Sequence, residues 1–325
     1  METRRLGRHG LALSALGLGT LTWGHDTDDQ EASLLLTTYL DAGGTTLDVP
    51  SDWGSSLFAG RVEAVGRVLS EGFSHQGMTI IFHSGNLPDP GLTGSLAPRR
   101  LGPLTSKKNL LASLDAGLAD LGVGNVDLWV IHGPHQGIEV SEIVETAEFA
   151  LASGRATYVG LSGLDEWDLG AATHIPMGAG PNRFAALAAP YSLLRARPAK
   201  AMLPHAIDQG LGFVALSPLA QGVLTAKYRH STPPDSRAAS AHLAKLMEGY
   251  FGSRSSRVVE AIARTGEELD ISASEVALAW VLAQAGVTNA VVGPRTERQL
   301  EALLDAPSLR LQRELRDVLS EVAIP

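Results

Sequence analysis

The chain of 325 residues carries 26 basic and 35 acidic side chains, a formal net charge of −9, with 44% hydrophobic and 19% charged residues. That balance fits a folded globular protein, excludes disordered, collagen-like and coiled-coil organisation, and argues against nucleic acid or an anionic membrane as the main partner. The absence of cysteine removes disulfides, thiolate metal sites and cysteine nucleophiles together.

The first two dozen residues begin charged and turn apolar, the outline of a signal peptide. Ser14, Gly17 and Gly19 break the apolar part, and the segment reads instead as a short hairpin leading into a buried strand. Strands are predicted at residues 13–17, 45–49, 79–83, 126–132, 158–162, 184–188, 213–216 and 290–292. Most are continuously apolar, the pattern of strands buried on both faces of a parallel sheet. Helical periodicity lies between them, over 31–41, 107–121, 141–152 and 272–285, with Ser272 and Glu275 spaced as a capping box. Eight strand–helix alternations predict one (β/α)8 TIM barrel domain over 1–325, preceded by an N-terminal β-hairpin. An open dinucleotide-binding sheet would carry GxGxxG after the first strand; Gly17 and Gly19 are present and the third glycine is missing. Two irregular stretches, 85–103 and 225–255, follow the third and seventh strands and are expected to form long loops over the C-terminal face. No apolar run approaches 18 residues, so no membrane span is expected and the cytoplasm is the expected location.

In such a barrel, ionisable residues at the C-terminal ends of strands face the site. Asp48, His83 and His132 end the second, third and fourth predicted strands, each followed by turn residues. Three acid/base groups on adjacent strands at one level point to a catalytic cluster. Two histidines and a carboxylate would also suit a divalent ion, but nothing in the spacing is specific for one, and no metal is expected.

At these residues the sequence resembles the aldo-keto reductase family over nearly its whole length. RRLGRHGLALSALGLGT is similar to that family's N-terminal hairpin and first strand, DAGGTTLDV to its second strand and VDLWVIHGP to its fourth. GRATYVGLSG, PYSLLR, LSPLAQGVLTAKY and VVGPRTERQL follow in the family's order. The resemblance implies a (β/α)8 barrel that binds NADPH across its C-terminal face and reduces carbonyls with Asp, Tyr, Lys and His. Asp48 and His132 match; the Tyr position falls on Trp53 and the Lys position on His83. An indole N–H donates a hydrogen bond but does not give up its proton, whereas a histidine can act as acid or base near neutrality. Trp53 and Trp23 are the expected walls of the substrate pocket.

The family's nicotinamide-binding Asn and Gln correspond to Gly163 and Ala188, its stacking aromatic to Leu216, and an adenine-end Asn to Leu303. Ser162, Ser217, Leu219, Gln221, Gly293, Arg295 and Gln299 remain as cofactor contacts, Arg295 as a phosphate ligand. The expectation is therefore no NADPH, or NADPH weakly bound. Three readings follow. The first is a repurposed barrel doing redox-neutral acid/base chemistry (dehydration, isomerisation or cyclisation) on a small carbonyl compound through Asp48, His83 and His132. The second is an NADPH-dependent carbonyl oxidoreductase with His83 or water in place of the Tyr donor. The third is a non-catalytic ligand-binding family member.

Overall fold

The chain opens on an antiparallel hairpin of β1 (Thr3–Arg5) and β2 (Ala12–Ser14), with Thr3 opposite Ser14. Eight strands follow: β3 (Leu16–Gly19), β4 (Thr46–Pro50), β5 (Thr79–Ser84), β6 (Val126–His132), β7 (Ala156–Ser162), β8 (Phe184–Pro190), β9 (Gly212–Leu216) and β10 (Val287–Val292). They close into a parallel barrel in chain order, β10 pairing back onto β3. This computed structural model describes residues 1–52, 59–73, 77–85, 105–134, 137–178, 184–234, 236–240, 243–247 and 249–323. The predicted (β/α)8 barrel with its N-terminal hairpin is thus the fold.

The surrounding helices are α1 (Asp29–Asp41), α2 (Arg61–Ser70), α3 (Lys107–Leu121), α4 (Val140–Ala152), α5 (Glu166–His174), α6 (Met202–Gln209), α7 (Ser253–Leu269), α8 (Ala273–Leu282), α9 (Glu297–Glu301) and α10 (Arg313–Ala323). Local chemistry starts several of them. Asp28, Ser106 and Asp165 accept from the backbone N–H three residues on, and Ser272 with Glu275 forms the expected reciprocal capping box. Two glycines govern close approach. A Cβ on Gly66 of α2 would stand 1.9 Å from the Asp120 carbonyl oxygen, and one on Gly212 would stand 2.4 Å from a Leu6 methyl. Only glycine lets α2 close on α3 and the hairpin close on β9.

The apolar residues divide into two cores. One lies between the barrel and its helices. The other fills the barrel interior, where Ile81, Leu128, Val130, Ala186, Val214 and Val291 meet Leu6 and Leu13 of the hairpin. The first barrel strand begins at Leu16 rather than at residue 13, a correction with a clear cause. The buried Ser14 hydroxyl bonds Leu16 O at 2.6 Å and the Tyr39 hydroxyl at 2.7 Å, and accepts from Thr45 and Thr46 N–H at 3.2 Å. This polar knot ends the hairpin and sends Leu13 into the barrel floor.

Of the two predicted loops, residues 86–103 lie outside the described residues, as does Trp53. The 225–255 stretch contains short 3-10 turns at Arg237–Ala239 and Ala244–Met247 before α7 begins at Ser253. Among the described residues, no helix is long and apolar enough to cross a membrane.

Candidate active site

The parallel register brings the carboxyl ends of β4, β5 and β6 to one level: Pro50 pairs with His83, and His83 with Val130. Asp48 sits two residues before Pro50, and its Oδ2 meets His83 Nε2 at 2.6 Å. Both residues are buried, at 5% and 2% exposure. A carboxylate only accepts, so Nε2 donates and the ring is held in one orientation by a short charge-assisted bond. The backbone under Asp48 is pinned as well: its carbonyl accepts from Thr20 N–H at 3.0 Å and from the Thr20 hydroxyl at 3.1 Å.

The half-buried His132 ends β6 with its ring centre 5.7 Å from that of His83, tilted by 49°. Asp48, His83 and His132 all line one cleft of about 960 Å³ at the C-terminal face. The structure therefore gathers the three strand-end residues into one wall. Among the described residues, no group of three His, Asp or Glu is arranged to hold a metal ion.

The opposite wall is cationic and comes from the loops after β9 and β10. Ser217, Leu219, Gln221, Gly293, Arg295 and Gln299 all line the cleft, joined by Lys227, Arg237 and Arg298. Gln299 Oε1 accepts from the Arg295 N–H at 3.0 Å, and Thr296 caps α9. Arg237 donates to Gly293 O at 3.0 Å and to Gln221 Oε1, and Gln221 in turn donates to Ser217 Oγ at 2.9 Å. Burial and then the charge of Arg295 push Arg237 down to about 10, so it stays protonated at neutral pH. Two like charges held together in an acidic protein have the chemistry of a polyanion site.

The loop after β9 is conformationally strained. Ser217, Ala220, Gln221 and Ala226 have φ between 49° and 62°, the left-handed region that costs non-glycine residues about 1–2 kcal/mol each. Strain of this kind gathers at ligand sites.

Two expected site residues lie elsewhere. Trp23 is fully buried and packs in the outer core, bridged to Thr27, so it does not line the cleft and the pocket-wall expectation is corrected. Its ring turns inward because the β3 loop folds tightly, with Trp23 N–H on Thr20 O. Ser162 ends β7 opposite His132, but its hydroxyl is buried, has no hydrogen-bond partner among the described residues, and does not line the cleft. Of the positions where the resemblance calls for amides or a ring, Leu216 and Leu303 line the cleft. Ala188 belongs to the barrel core, and at Gly163, whose φ is +69°, a Cβ would stand a tight 3.3 Å from His132 Nδ1. Sequence reasoning missed Lys227, Arg237 and Arg298. Arg237 is a single basic residue in an irregular loop, and nothing local distinguishes it from a solvated one.

A family model described as "Aldo/keto reductase family" matches residues 15–323. The "Uncharacterized oxidoreductase YrpG" of Bacillus subtilis (strain 168) is 30% identical, over 99% of this chain and 96% of that protein. An L-glyceraldehyde 3-phosphate reductase of Escherichia coli O157:H7 is 28% identical, over 94% of this chain and 87% of that protein. A "Probable voltage-gated potassium channel subunit beta" of Oryza sativa subsp. japonica is 29% identical, over 92% and 89%.

The oxidoreductase and the reductase among these relatives overturn the expectation of redox-neutral dehydration, isomerisation or cyclisation. That expectation rested on the missing Tyr, Lys, amides and stacking ring. Of the cations in the far wall it counted Arg295 alone, because Lys227, Arg237 and Arg298 reach the cleft from positions distant in sequence.

Proposed function

From the premise that this chain belongs to the aldo/keto reductase family, we propose that it is an NADPH-dependent oxidoreductase of small carbonyl compounds. In this reading His83, or a water it holds, stands in place of the usual tyrosine. The observation that carries it is one cleft with two chemically different walls: the Asp48–His83 pair with His132 on one side, and Arg237, Arg295 and Lys227 on the other.

The residues present fit NADPH best at its phosphates. Arg237, Arg295 and Lys227 supply the cations, Gln221 and Ser217 the neutral donors, and Gly293 the close backbone approach. The nicotinamide end offers Leu216 for ring contact and lacks the amides at 163 and 188. Two lost amide contacts at about 1 kcal/mol each imply binding roughly 10–100-fold weaker than with both present. When bound, NADPH supplies the hydride that reaches the carbonyl carbon. This chain's own part is the proton. His132 orients the carbonyl oxygen, and His83, kept in register by Asp48, delivers a proton to it through the ring nitrogen not bonded to Asp48 or through a water. The substrate is a small carbonyl compound, and the cytoplasm is its proposed compartment.

The test is NADPH oxidation with activated dicarbonyls, which need the least proton assistance. Turnover that depends on both His83 and His132 is the expected result. A purified protein that binds NADPH and yet shows no consumption above background with a panel of dicarbonyls would overturn the reading.

A further inference from the structure

Pro50, the last residue of β4, has no N–H and so donates nothing to β5 where it stands opposite His83. The next residue, Ser51, is buried and secures the strand end with all three of its polar groups. Its N–H donates to His83 O at 2.9 Å. Its carbonyl accepts from Nη2 of Arg61, the buried first residue of α2, at 2.7 Å, and Arg61 Nε donates to Pro50 O at 3.1 Å. Its hydroxyl lies 2.9 Å from the hydroxyl of Ser113 in α3.

Ser113 passes the connection on. Its O–H donates to Ser84 Oγ at 3.0 Å, and Trp129 Nε1 of β6 donates to the same oxygen at 3.0 Å. A hydroxyl has one proton, so in the contact with Ser51 it is Ser51 that donates. The result is a directed chain from Ser51 through Ser113 to Ser84, in which each bond polarises the next. Ser84 directly follows His83 in β5. His83 is therefore held from both sides, its own carbonyl by Ser51 and its neighbour's side chain by Ser113 and Trp129. All four side chains are buried, so bulk water does not replace a lost partner. Helix α3 comes this close because of Gly117, one turn on from Ser113: a Cβ there would stand 2.2 Å from the Phe82 ring of β5.

We propose that Ser113 is a positioning residue of the site: from the helix side of the barrel wall, its hydroxyl couples the end of β4 to the end of β5 and so fixes the Asp48–His83 contact. Register alone does not give that contact, since Asp48 stands opposite Ile81, and a shift of either strand end lengthens it. The bearing on proton delivery rests on the oxidoreductase reading above; the geometric relationship does not.

The experiment follows the His83 Nε2 proton by NMR in the unliganded full chain. A proton in a short bond to a carboxylate resonates well downfield of backbone amides, and the signal is assigned by its loss in His83→Ala. In Ser113→Ala its exchange with water should quicken by about fivefold, the factor by which one lost buried hydrogen bond raises local opening. Asp28→Ala, which removes the α1 cap and lowers stability without touching the hydroxyl chain, is the control and should leave the exchange nearly unchanged. A quickening of less than about twofold in Ser113→Ala, or an equal one in Asp28→Ala, overturns the proposal and leaves Ser113 a structural contact. So does the absence of such a signal from the unmodified protein. Should Ser113→Ala not fold, Ser51→Ala breaks the same chain at its first link and is read by the same criterion. No cofactor or turnover is needed, so failure of the oxidoreductase reading and failure of this proposal give separate results.

Discussion

The Asp48 carboxylate and the His83 imidazole meet at 2.6 Å although they are not register partners. His83 stands opposite Pro50, one strand repeat beyond Asp48, and the carboxylate reaches along the barrel to it. Two buried groups joined this way depend on each other. His83→Ala leaves a buried carboxylate without its partner and should cost about 3–5 kcal/mol of stability, read by urea denaturation. Asp48→Asn keeps an amide oxygen to accept from Nε2 and should cost less. In dicarbonyl reduction, both should lower kcat/KM by roughly 10²–10⁴-fold, the range of a lost acid/base function. Full activity in His83→Ala would remove it from the proton path.

Arg237 ties the 225–255 loop to the loops after β9 and β10 through Gln221 and Gly293. Arg237→Met should weaken NADPH binding by about tenfold or more, since a charge-assisted bond contributes roughly 1.5–3 kcal/mol. Binding to the unmodified protein should also weaken more steeply with added salt than binding to the variant. Fluorescence titration at two salt concentrations checks both.

Gly163 has φ +69°, a conformation that asparagine tolerates better than most side chains. Gly163→Asn puts an amide back at the end of β7, with His132 Nδ1 as its near neighbour. NADPH affinity should improve several-fold, by about 1 kcal/mol for the restored hydrogen bonds. An unchanged or weaker Kd would mean that the nicotinamide lies elsewhere in the cleft.

His9, in the hairpin under the barrel, packs edge-on against Tyr158 with ring centres 6.2 Å apart. Burial holds its pKa below the ordinary 6.5, partly offset by a hydrogen bond that the ring donates to the Phe184 backbone carbonyl. The unfolded chain therefore takes up this proton at higher pH than the folded one. Stability is intact above pH 6.5 and declines as pH falls from there toward the lowered folded value. His9→Phe preserves the ring contact without the proton, and its Tm should fall less steeply with acid over that window.

Much of the architecture was legible because it is written locally. Apolar runs buried on both faces, helical spacing between them and the Ser272–Glu275 cap each depend on residues a few positions apart. Asp48, His83 and His132 were legible for the same reason: each ends such a run, and parallel closure then sets them at one level. The Trp23 expectation failed because a loop aromatic carries no mark of which way its ring turns. Arg237 and Arg61 were invisible for a related reason. A basic residue in an irregular segment or at a helix start looks solvated until the chain around it is in place.

By itself the amino-acid order determined the barrel, its hairpin and the three strand ends that carry Asp48, His83 and His132, since periodicity and strand termination are short-range properties. The tertiary structure alone decided that Asp48 reaches His83, that cations from two distant loops face them across a cleft, and that Arg61 lies buried against the Pro50 and Ser51 carbonyls. Those relationships depend on distance and dielectric, which are settled only when segments far apart in the chain share one interior.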